Sequence, residues 1–561
     1  MRSESIRNSR ACSIIGELGT EIEKLSAKAI VAKGIYSASV TFFILVIVVP
    51  AIAGIVFRLA TLSNFTQDAI AISRMSDAVA WSFIIGIIVS SLDVLAGVPL
   101  AWLIVRRRGR MTAVIDSLAD IPFVIPTVAL GFSVLEFWSG SSGISSIFRV
   151  NSLISPGSML IVLLHFAFSY PVVVRVMVGE FLNYRETYEV AARTLGASAF
   201  TAARTITMPI LRLGVLAGFL LAFARSLSET GATIVVAGAF ENGTIFIKNA
   251  QDAGLSAAVV LASLVMIVTS LSVFALIKTL SPRMHLGPLR VRPGLERRLS
   301  TRSAVRLRDV LTFSVFLVFV LLPCIFIALP AVQSIAAGTV GEAITGVGAW
   351  KAFWSSVVLS YVIASLVTVI NIISGLPVAV LIARNRMGSR TTKTVDALVD
   401  LPIIVPSLAL GVSLNFFWGN MGSLPEFWVL VIAHSTITYS YFVRAMSASV
   451  QGIPTELEES ARTLGAFPLH TFRKITLPLT KYSILSGAIL VFTRSVDETG
   501  ATSAVSKVLK TAPVLLVDWI RGTVPVTPSQ RALGIGFLVL TSFLALVALR
   551  LMTLRAPHKK D

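Results

Sequence analysis

Long apolar segments dominate this chain of 561 residues and decide what it can fold into. A helix needs about 20 mostly apolar residues to cross a lipid bilayer. Twelve segments reach that length, near residues 36–58, 82–105, 119–138, 157–179, 209–236, 255–278, 310–332, 355–384, 398–418, 427–449, 480–504 and 532–553. We therefore predict an all-α polytopic membrane protein with about 12 transmembrane helices.

The composition excludes an ordinary soluble domain, because 55% of the residues are hydrophobic and only 14% are charged. The formal net charge of +19 would also suit a nucleic-acid binder. Here, however, the basic residues cluster between the apolar segments, as they do in loops on the cytoplasmic side of a membrane. We expect the lipid bilayer as the partner of this surface and no nucleic acid. With only Cys12 and Cys324 present, a structural disulfide is not expected.

The two halves of the chain repeat each other in sequence. The motif Asp120-Ile-Pro-Phe-Val-Ile-Pro126 returns as Asp400-Leu-Pro-Ile-Ile-Val-Pro406, and Arg225-Ser-Leu-Ser-Glu-Thr-Gly-Ala-Thr233 returns as Arg494-Ser-Val-Asp-Glu-Thr-Gly-Ala-Thr502. Six spans per copy bring the chain back to the same side, so the repeat is parallel. We predict a cytoplasmic N-terminal extension (1–35), a first six-helix permease unit (36–279), a basic cytoplasmic linker (280–309), a second six-helix unit (310–554) and a cytoplasmic tail (555–561).

Clusters of Arg and Lys mark one side of the predicted bundle, which we call the basic face. It carries Arg106-Arg-Arg-Gly-Arg110, the segment 384–390, the linker and the tail. By the positive-inside rule this face is cytoplasmic, with both termini on it. The charged extension before the first span has no clear cleavage site, so we read it as retained and not as a signal peptide. We expect a multi-pass protein of the plasma or inner membrane.

A polar segment on the basic face occurs once in each half, between the fourth and fifth spans. It reads Tyr188-Glu-Val-Ala-Ala-Arg-Thr-Leu-Gly196 in the first half and Leu457-Glu-Glu-Ser-Ala-Arg-Thr-Leu-Gly465 in the second. We predict a short helix that Gly ends in a left-handed turn, and then a second short helix. Only the second copy has a capping-box pattern, from Thr455 to Glu458. A single copy could be a solvated loop, but two copies with one spacing favour docking into a partner.

These two segments resemble the Glu-Ala-Ala loop of the membrane subunits of binding-protein-dependent ATP-binding cassette (ABC) importers. In that family the loop forms a coupling helix that sits in a cleft of the ATPase subunit. The resemblance implies an ATPase-coupling role for Glu189, Ala191, Ala192, Gly196, Glu458, Glu459, Ala461 and Gly465. Val190 stands where the family has Glu, whereas Glu459 follows the pattern, so the two docking sites are expected to be unequal.

The same resemblance implies the partners and the function. It predicts a transmembrane permease subunit that works with two ABC ATPase subunits and an extracytoplasmic substrate-binding protein. The sequence contains no phosphate-binding Gly-rich loop, no His/Cys cluster with metal-ligand spacing and no nucleophile motif. We therefore predict that the chain is not an enzyme and holds no cofactor of its own, with ATP bound by the partner subunits.

Ionisable residues inside the predicted fifth and eleventh spans mark a candidate translocation path. Arg225 and Glu229 are four residues apart, as are Arg494 and Glu498, so each pair shares a helix face and can neutralise itself. Small polar residues follow, beginning at Thr230 and Thr499, and they permit close backbone approach or a break in the helix. We expect these two segments to face each other across a pseudo-twofold axis in the outer half of the membrane. The alternative is that each ion pair has a structural role only and locks its span to the neighbouring helices.

Weaker signals concern the packing of the spans. Asp93 and its counterpart Asn371 suit a buried hydrogen bond between spans, and Pro122, Pro126, Pro402 and Pro406 suit kinks in the third and ninth spans. We read His165 and His434, with Arg175 and Arg444, as interfacial anchors of the fourth and tenth spans.

Two other functions remain open at this point. An ion-gradient-driven secondary transporter would explain the repeat and the intramembrane charges but not the duplicated loop, and a membrane scaffold would leave those charges unexplained. The substrate also stays open. Fused permeases of this kind resemble those for ferric iron, thiamine or phosphonate, and the Glu-Thr-Gly-Ala-Thr segments resemble those of permeases for oxyanions such as molybdate, tungstate or sulfate.

Overall fold

The computed structural model describes residues 29–60, 69–107, 109–280, 292–336, 338–420, 422 and 424–554, and within them it is helical with no strand. Most of the predicted N-terminal extension, residues 281–291 of the linker and the tail 555–561 lie outside the described residues.

In the first half, the α-helices are α1 (Ala29–Phe42), α2 (Val49–Val56), α3 (Ala69–Arg106), α4 (Arg110–Leu118), α5 (Ile121–Val124), α6 (Thr127–Trp138), α7 (Ile144–Ile147), α8 (Ser158–Asn183), α9 (Thr187–Thr194), α10 (Ala199–Ala202), α11 (Met208–Ile210), α12 (Arg212–Ser228), α13 (Gly231–Val236), α14 (Gly243–Asp252) and α15 (Ser256–Leu280). Residues Phe43–Val48 and Ala203–Thr207 are π-helical.

In the second half, the α-helices are α16 (Pro293–Leu299), α17 (Arg302–Phe316), α18 (Leu322–Ile325), α19 (Ala328–Ala336), α20 (Val340–Thr345), α21 (Ala349–Ala383), α22 (Ser389–Val399), α23 (Leu401–Ile404), α24 (Ser407–Asn420), α25 (Glu426–Gln451), α26 (Thr455–Thr463), α27 (Pro468–Thr471), α28 (Leu477–Val496), α29 (Gly500–Val505), α30 (Ala512–Arg521) and α31 (Pro528–Leu554). Residues Leu317–Leu321 and Phe472–Thr476 are π-helical, at the positions that match the π-helical residues of the first half.

The predicted class is confirmed, although fewer straight spans than twelve are present. Among the described residues, 8 helices are long and apolar enough to cross a membrane, or up to 11 if each sharply bent helix pair counts as one span. The predicted tenth span is the long helix α25, which is too polar to be among them. Its polar side chains lie in the protein interior, where neighbouring helices satisfy their hydrogen bonds.

The third and ninth spans bend more sharply than the predicted kinks. The chain bends by 108° between Val124 and Thr127, and by 108° again between Ile404 and Ser407. Pro126 and Pro406 lie at these bends, and proline removes a backbone donor and disfavours a helical residue before it. Each third span is therefore two helices at a steep angle.

The first span of each half packs against the other half. Phe43 stacks on Tyr439 with ring centroids 5.3 Å apart, and Phe316 stacks on Tyr170 at 6.2 Å. The Oγ atom of Ser413 donates a hydrogen bond to the Pro50 carbonyl at 3.0 Å. The matching contact joins the Ser133 hydroxyl to the Pro323 carbonyl at 2.5 Å. The two units are thus held together by exchanged first spans, which the hydropathy pattern does not reveal.

We predict that Gly54→Ala weakens the packing of the first span against the second half of the chain. A Cβ atom at Gly54 would lie 1.7 Å from the Ser413 carbonyl oxygen of the other half, whereas one at Gly34 in the same span would meet nothing within 4 Å. Overpacking of this kind costs about 1–3 kcal/mol. Gly54→Ala should lower the thermal unfolding temperature of the detergent-purified chain, and the control Gly34→Ala should leave it unchanged or raise it. Equal behaviour of the two variants would contradict the exchanged packing.

Candidate functional site

Residues 185–211 (loop 1) and 454–480 (loop 2) form the duplicated polar segments of the basic face. In each loop a short helix, α9 or α26, ends at a glycine whose φ is positive, +94° at Gly196 and +88° at Gly465. The amide of Ala197 bonds to the Ala192 carbonyl at 3.1 Å, and the amide of Ala466 bonds to the Ala461 carbonyl at 3.0 Å. This is the left-handed helix end that the sequence predicts, and only glycine adopts it without strain.

Two equivalent glutamates of the loops, Glu189 and Glu458, are anchored inside the protein. Arg106, at the end of α3, donates to Glu189 at 2.6 Å, and the hydroxyl of Thr207 donates to the same carboxylate at 3.3 Å. The second half repeats this arrangement: Arg384 donates to Glu458 at 2.8 Å and Thr476 donates to it at 3.2 Å. Each loop is therefore tied to the second span of its own unit.

One prediction for these glutamates needs correction, and their coupling role stays a prediction. The capping box of loop 2 does not form, because the Glu458 carboxylate turns inward to Arg384 and no side chain caps the start of α26. Glu189 and Glu458 were also placed among the ATPase-coupling residues. Their side chains are only 10% and 15% exposed, and both are engaged within the chain. They position the loops and do not form their outer surface.

The outer surface of the loops consists of other predicted residues and of two leucines that the sequence motif did not single out. Glu459, Ala191, Gly196 and Gly465 are exposed, and Ala192 and Ala461 are half-buried. The leucine before each glycine is almost fully exposed, 89% at Leu195 and 88% at Leu464. Each loop thus carries an exposed apolar tip at the end of its first short helix.

The predicted path residues lie at a break in the fifth and eleventh spans. Helix α12 ends at Ser228 and α13 begins at Gly231, and α28 and α29 are separated in the same way. The Glu229 carboxylate accepts a hydrogen bond from the Ala232 amide at 2.9 Å, and Glu498 accepts one from the Ala501 amide at 3.0 Å. The glutamates therefore cap the two outer helices, satisfying amides that the break exposes.

The two buried histidines bridge the same breaks. His165 lies between the hydroxyls of Ser226 and Thr233, at 2.8 Å from each. His434 lies in the same way between Ser495 and Thr502. Both rings are buried. The prediction that these histidines are interfacial anchors is wrong, because each one joins the two helices on either side of a break.

The two broken segments meet each other, as predicted. A Cβ atom built on Gly231 would lie 2.6 Å from the Thr499 hydroxyl oxygen, and one built on Gly500 would lie 3.0 Å from the Thr230 hydroxyl oxygen. These reciprocal contacts lie on the pseudo-twofold axis. The two segments are in close contact at this level, and the glycine backbones leave no space between them.

Cross-unit polar contacts surround this closure, and they differ between the halves. The Asp497 carboxylate accepts a hydrogen bond from the Thr127 amide at 2.6 Å. At the matching position, Ser407 donates to the Ser228 carbonyl at 3.2 Å. The charge difference between Asp497 and its counterpart Ser228 therefore lies at the contact between the units.

The arginines of the two segments also differ. Arg494 forms the expected ion pair with Glu498 at 3.0 Å. No ion pair joins Arg225 to Glu229 in the described part of the chain, although the helix ends before the glutamate in both halves. The Arg225 guanidinium instead lies 3.8 Å from the centroid of the Phe168 ring and donates to the Phe168 carbonyl at 3.2 Å. The prediction of two equivalent ion pairs is thus confirmed for the second half and wrong for the first.

Two further polar clusters hold the spans in place. Ser169 donates to Asp93, and Asn371 donates to Thr438 at 2.9 Å, which confirms the predicted hydrogen bonds between spans. Arg175 binds two aspartates of the bent third span, and Arg444 does the same in the second half; these four aspartates are Asp116, Asp120, Asp396 and Asp400. Asp116 and Asp396 repeat at the same offset of 280 residues as the Asp-x-Pro motif (396−116 and 400−120), which was a usable signal for this contact.

These features define a two-unit integral membrane protein with two broken helices in contact at its centre and two equivalent loops on one face. The family model for the binding-protein-dependent transport system inner membrane component matches residues 93–286 and 375–560, one match in each half. The chain belongs to this family, whose members are permease components of ABC importers.

Individual relatives align to about a third of the chain. The molybdate/tungstate transport system permease protein of Pyrococcus abyssi is 28% identical over 190 residues, which are 33% of this chain and 75% of the relative. The molybdenum transport system permease protein of Mycobacterium tuberculosis is 34% identical over 189 residues, 32% of this chain and 71% of the relative. That of Escherichia coli K12 is 32% identical over 162 residues, 27% of this chain and 70% of the relative.

We predict that the two neighbouring glutamates of loop 2 have different roles, and that only Glu458 anchors the loop. Glu458→Ala leaves the largely buried Arg384 without its carboxylate, and loss of a hydrogen bond to a charged group costs about 1.5–3 kcal/mol. Hydrogen exchange of the α26 amides in the purified chain should become faster. Glu459→Ala is the matched control, because that side chain is exposed, and it should leave the exchange unchanged. Unaltered exchange in both variants would contradict the anchoring role.

Proposed function

We propose that this chain is the complete permease of an ATP-driven importer, and that its cargo is a tetrahedral oxyanion of the molybdate or tungstate class. Family membership supports the transport class. The observation that carries the mechanism is the duplicated loop, which has the same left-handed helix end and the same internal anchor in both halves. Under this proposal the basic face is cytoplasmic, and each loop receives one ATPase subunit.

The surface of the loops supports a docking role. An exposed leucine at each tip offers an apolar anchor for a groove on a partner. The internal anchors, Arg106–Glu189 and Arg384–Glu458, give each loop a rigid attachment to its unit, so that a displacement of the docked partner moves the spans. Loop 2 exposes Glu459 where loop 1 exposes Val190, which supports two docking sites of unequal charge.

The closure at the pseudo-twofold axis supports an alternating path. Helix α12 runs about 26 Å from its first residue on the basic face to Glu229, at a rise of 1.5 Å per residue. This distance supports a position of the contact between Gly231 and Thr499 in the half of the membrane away from the basic face. We infer that ATPase closure draws the two loops together and parts these segments outward, and that hydrolysis restores the closed state. An extracytoplasmic binding protein would deliver the cargo at the outer side.

The nature of the cargo is proposed from two facts. The relatives with the printed names given above are permeases for molybdenum, molybdate or tungstate. The path also contains two arginines, and a guanidinium fork matches the oxygen atoms of an oxyanion. Arg494 is held by Glu498, whereas Arg225 rests on an aromatic ring and its own carboxylate neighbour caps another helix. We therefore assign Arg225 the larger share of the interaction with the passing anion.

This assignment gives an asymmetric prediction for two equivalent substitutions. Arg225→Gln removes the positive charge without leaving a carboxylate unpaired, so the complex should assemble normally while ATP-dependent molybdate uptake falls roughly tenfold to a hundredfold. Arg225→Lys should retain part of the uptake. Arg494→Gln leaves the buried Glu498 without its partner, and it should lower the thermal stability of the chain itself.

The measurement is uptake of radiolabelled molybdate and tungstate by proteoliposomes that contain the chain, its ATPases and its binding protein. Uptake driven by an ion gradient without ATP would contradict the importer class and favour a secondary transporter. ATP-dependent uptake that is indifferent to Arg225→Gln would contradict only the assignment of the anion contact.

A further inference from the structure

An exposed cationic patch lies beside loop 1, on the segment that leads into the seventh span. We call it the arginine patch, and it consists of Arg297 and Arg298 in α16 and Arg302 and Arg306 in α17. All four residues are exposed. The proposed function gives them no role, because they belong to neither loop and to neither broken segment.

The exposed side of α17 changes from charged to apolar within one helical turn. Arg302, Arg306 and Val310 follow one another at spacings of four, so they share one stripe of the helix. Val310 is 61% exposed, and Leu307 and Leu311 beside it are also exposed. Because α17 opens a candidate membrane span, its exposed apolar residues contact lipid. The stripe therefore faces the bilayer.

Two contacts with the first unit fix the rotation of this helix. Asp309 binds Arg107 at 2.5 Å, just beyond the end of the second span. Further along α17, Phe316 stacks on Tyr170. With these two side chains held by the first unit, the stripe that carries the arginines stays on the lipid side.

The spacing along α17 brings the cations to the level of the lipid headgroups. Val310 is the first apolar residue of the stripe. With a rise of about 1.5 Å per residue, Arg306 lies about 6 Å from it along the helix axis and Arg302 about 12 Å. The headgroup region of one leaflet is roughly 5–8 Å thick. A long arginine side chain can bend toward this region while its stem rests on apolar surface, and its guanidinium fork matches a phosphate group.

Helix α16 adds an amphipathic surface to the patch. Leu295 and Leu299 are exposed and four residues apart, and Arg297 and Arg298 stand between them. A segment with exposed leucines and arginines suits the interface of an anionic membrane. There the leucines enter the acyl boundary and the cations bind the headgroups.

The remaining side of α16 is bound to loop 1. The buried carboxylate of Glu296 accepts hydrogen bonds at 2.5 Å from the Thr201 hydroxyl and from Arg204. The hydrogen bond from Thr201 is the main cause that lowers the pKa of Glu296 below its usual value. Ser300 extends the contact by accepting from the Phe200 amide at 3.0 Å. A ligand of the arginine patch therefore acts on the segment to which loop 1 is fastened.

We propose that the arginine patch binds anionic phospholipids of the adjacent leaflet, and that this binding holds loop 1 at a fixed height over the membrane. The ligand is a lipid because the patch continues into a lipid-facing stripe. It is anionic because the patch presents four cations, while the one acid of α16, Glu296, is turned toward loop 1. The site is a property of the chain alone and does not depend on the proposed cargo or on the ATPases.

Quenching by brominated lipids tests this site in the full chain, reconstituted in nanodiscs on a Cys12→Ser background. Cys324 is buried and stays unlabelled. A fluorophore on Ser303→Cys, inside the patch, reports the lipids bound there. A fluorophore on Val358→Cys, an exposed residue of the span α21, reports the lipids elsewhere on the bundle. Quenching by brominated phosphatidylglycerol is compared with quenching by phosphatidylcholine that carries the same brominated acyl chains.

We expect a preference for phosphatidylglycerol of roughly tenfold or more at Ser303→Cys, because each arginine near an anionic surface contributes to binding. No such preference is expected at Val358→Cys. Equal preference at the two labels would overturn the proposal, because it would describe ordinary lipid contact around the whole bundle.

Substitution of the patch gives the second arm of the test. Arg302→Gln with Arg306→Gln should bring the preference at the Ser303→Cys label close to one. The matched control is Arg193→Gln with Arg462→Gln, which removes the same charge from two exposed residues of the loops and should leave the preference unchanged. An unchanged preference in the patch variant would overturn the proposal. If that variant also fails to co-purify with the ATPase subunits, the patch belongs to a protein interface instead.

The link to loop 1 has its own readout. Hydrogen exchange of the loop 1 amides should be slower in nanodiscs of phosphatidylglycerol than in nanodiscs of phosphatidylcholine. Glu296→Ala should remove this difference and keep the lipid preference at Ser303→Cys, because it cuts the contact with loop 1 and leaves the arginines in place. Equal exchange of the unchanged chain in the two lipids would overturn the link between lipid binding and loop 1.

Discussion

The hydrocarbon core of a bilayer offers no hydrogen-bonding partner, so a break in a transmembrane helix persists only where protein groups satisfy the exposed backbone. This constraint governs the centre of the structure. Glu229 and Glu498 cap the helices beyond the two breaks, and His165 and His434 bridge the hydroxyls on either side. The glycines thereby released from the helices meet across the pseudo-twofold axis. The polar residues of the fifth span thus stabilise one element, the broken segment that meets its counterpart from the other unit.

The two units of the chain are related by a pseudo-twofold axis, but they are not identical. The backbone, the breaks and the loop anchors repeat closely, whereas the charges do not. Asp497 stands against Ser228 at the contact between the units, and Arg225 rests on an aromatic ring while Arg494 keeps its carboxylate. A dimer of identical subunits places one charge pattern on both sides of its axis, but a single chain with two units can present a different one on each side.

The sequence predicted features that local patterns encode. The repeat, the glycine turn at Gly196 and the break before Gly231 follow from motif spacing and from backbone preferences, and the structure contains all three. The exchange of first spans was not predictable from the sequence. An apolar helix surface can contact lipid or protein, and hydropathy does not show which helix it packs against. The inward turn of Glu458 and the stacking of Arg225 were missed for a related reason. Their partners, Arg384 and Phe168, are distant in sequence, so spacing within one helix suggested nearer ones.

The central claim is that the two loops transmit the ATPase cycle to the closed segments. The most direct test is the distance between spin labels attached at Thr194 and Thr463, which are exposed and equivalent residues of loops 1 and 2. It is measured by pulsed electron paramagnetic resonance in the complex with ATPases and binding protein. Our account predicts that trapping with ATP and vanadate shortens this distance relative to the nucleotide-free complex. An unchanged distance in a complex that still hydrolyses ATP and transports its cargo would contradict it.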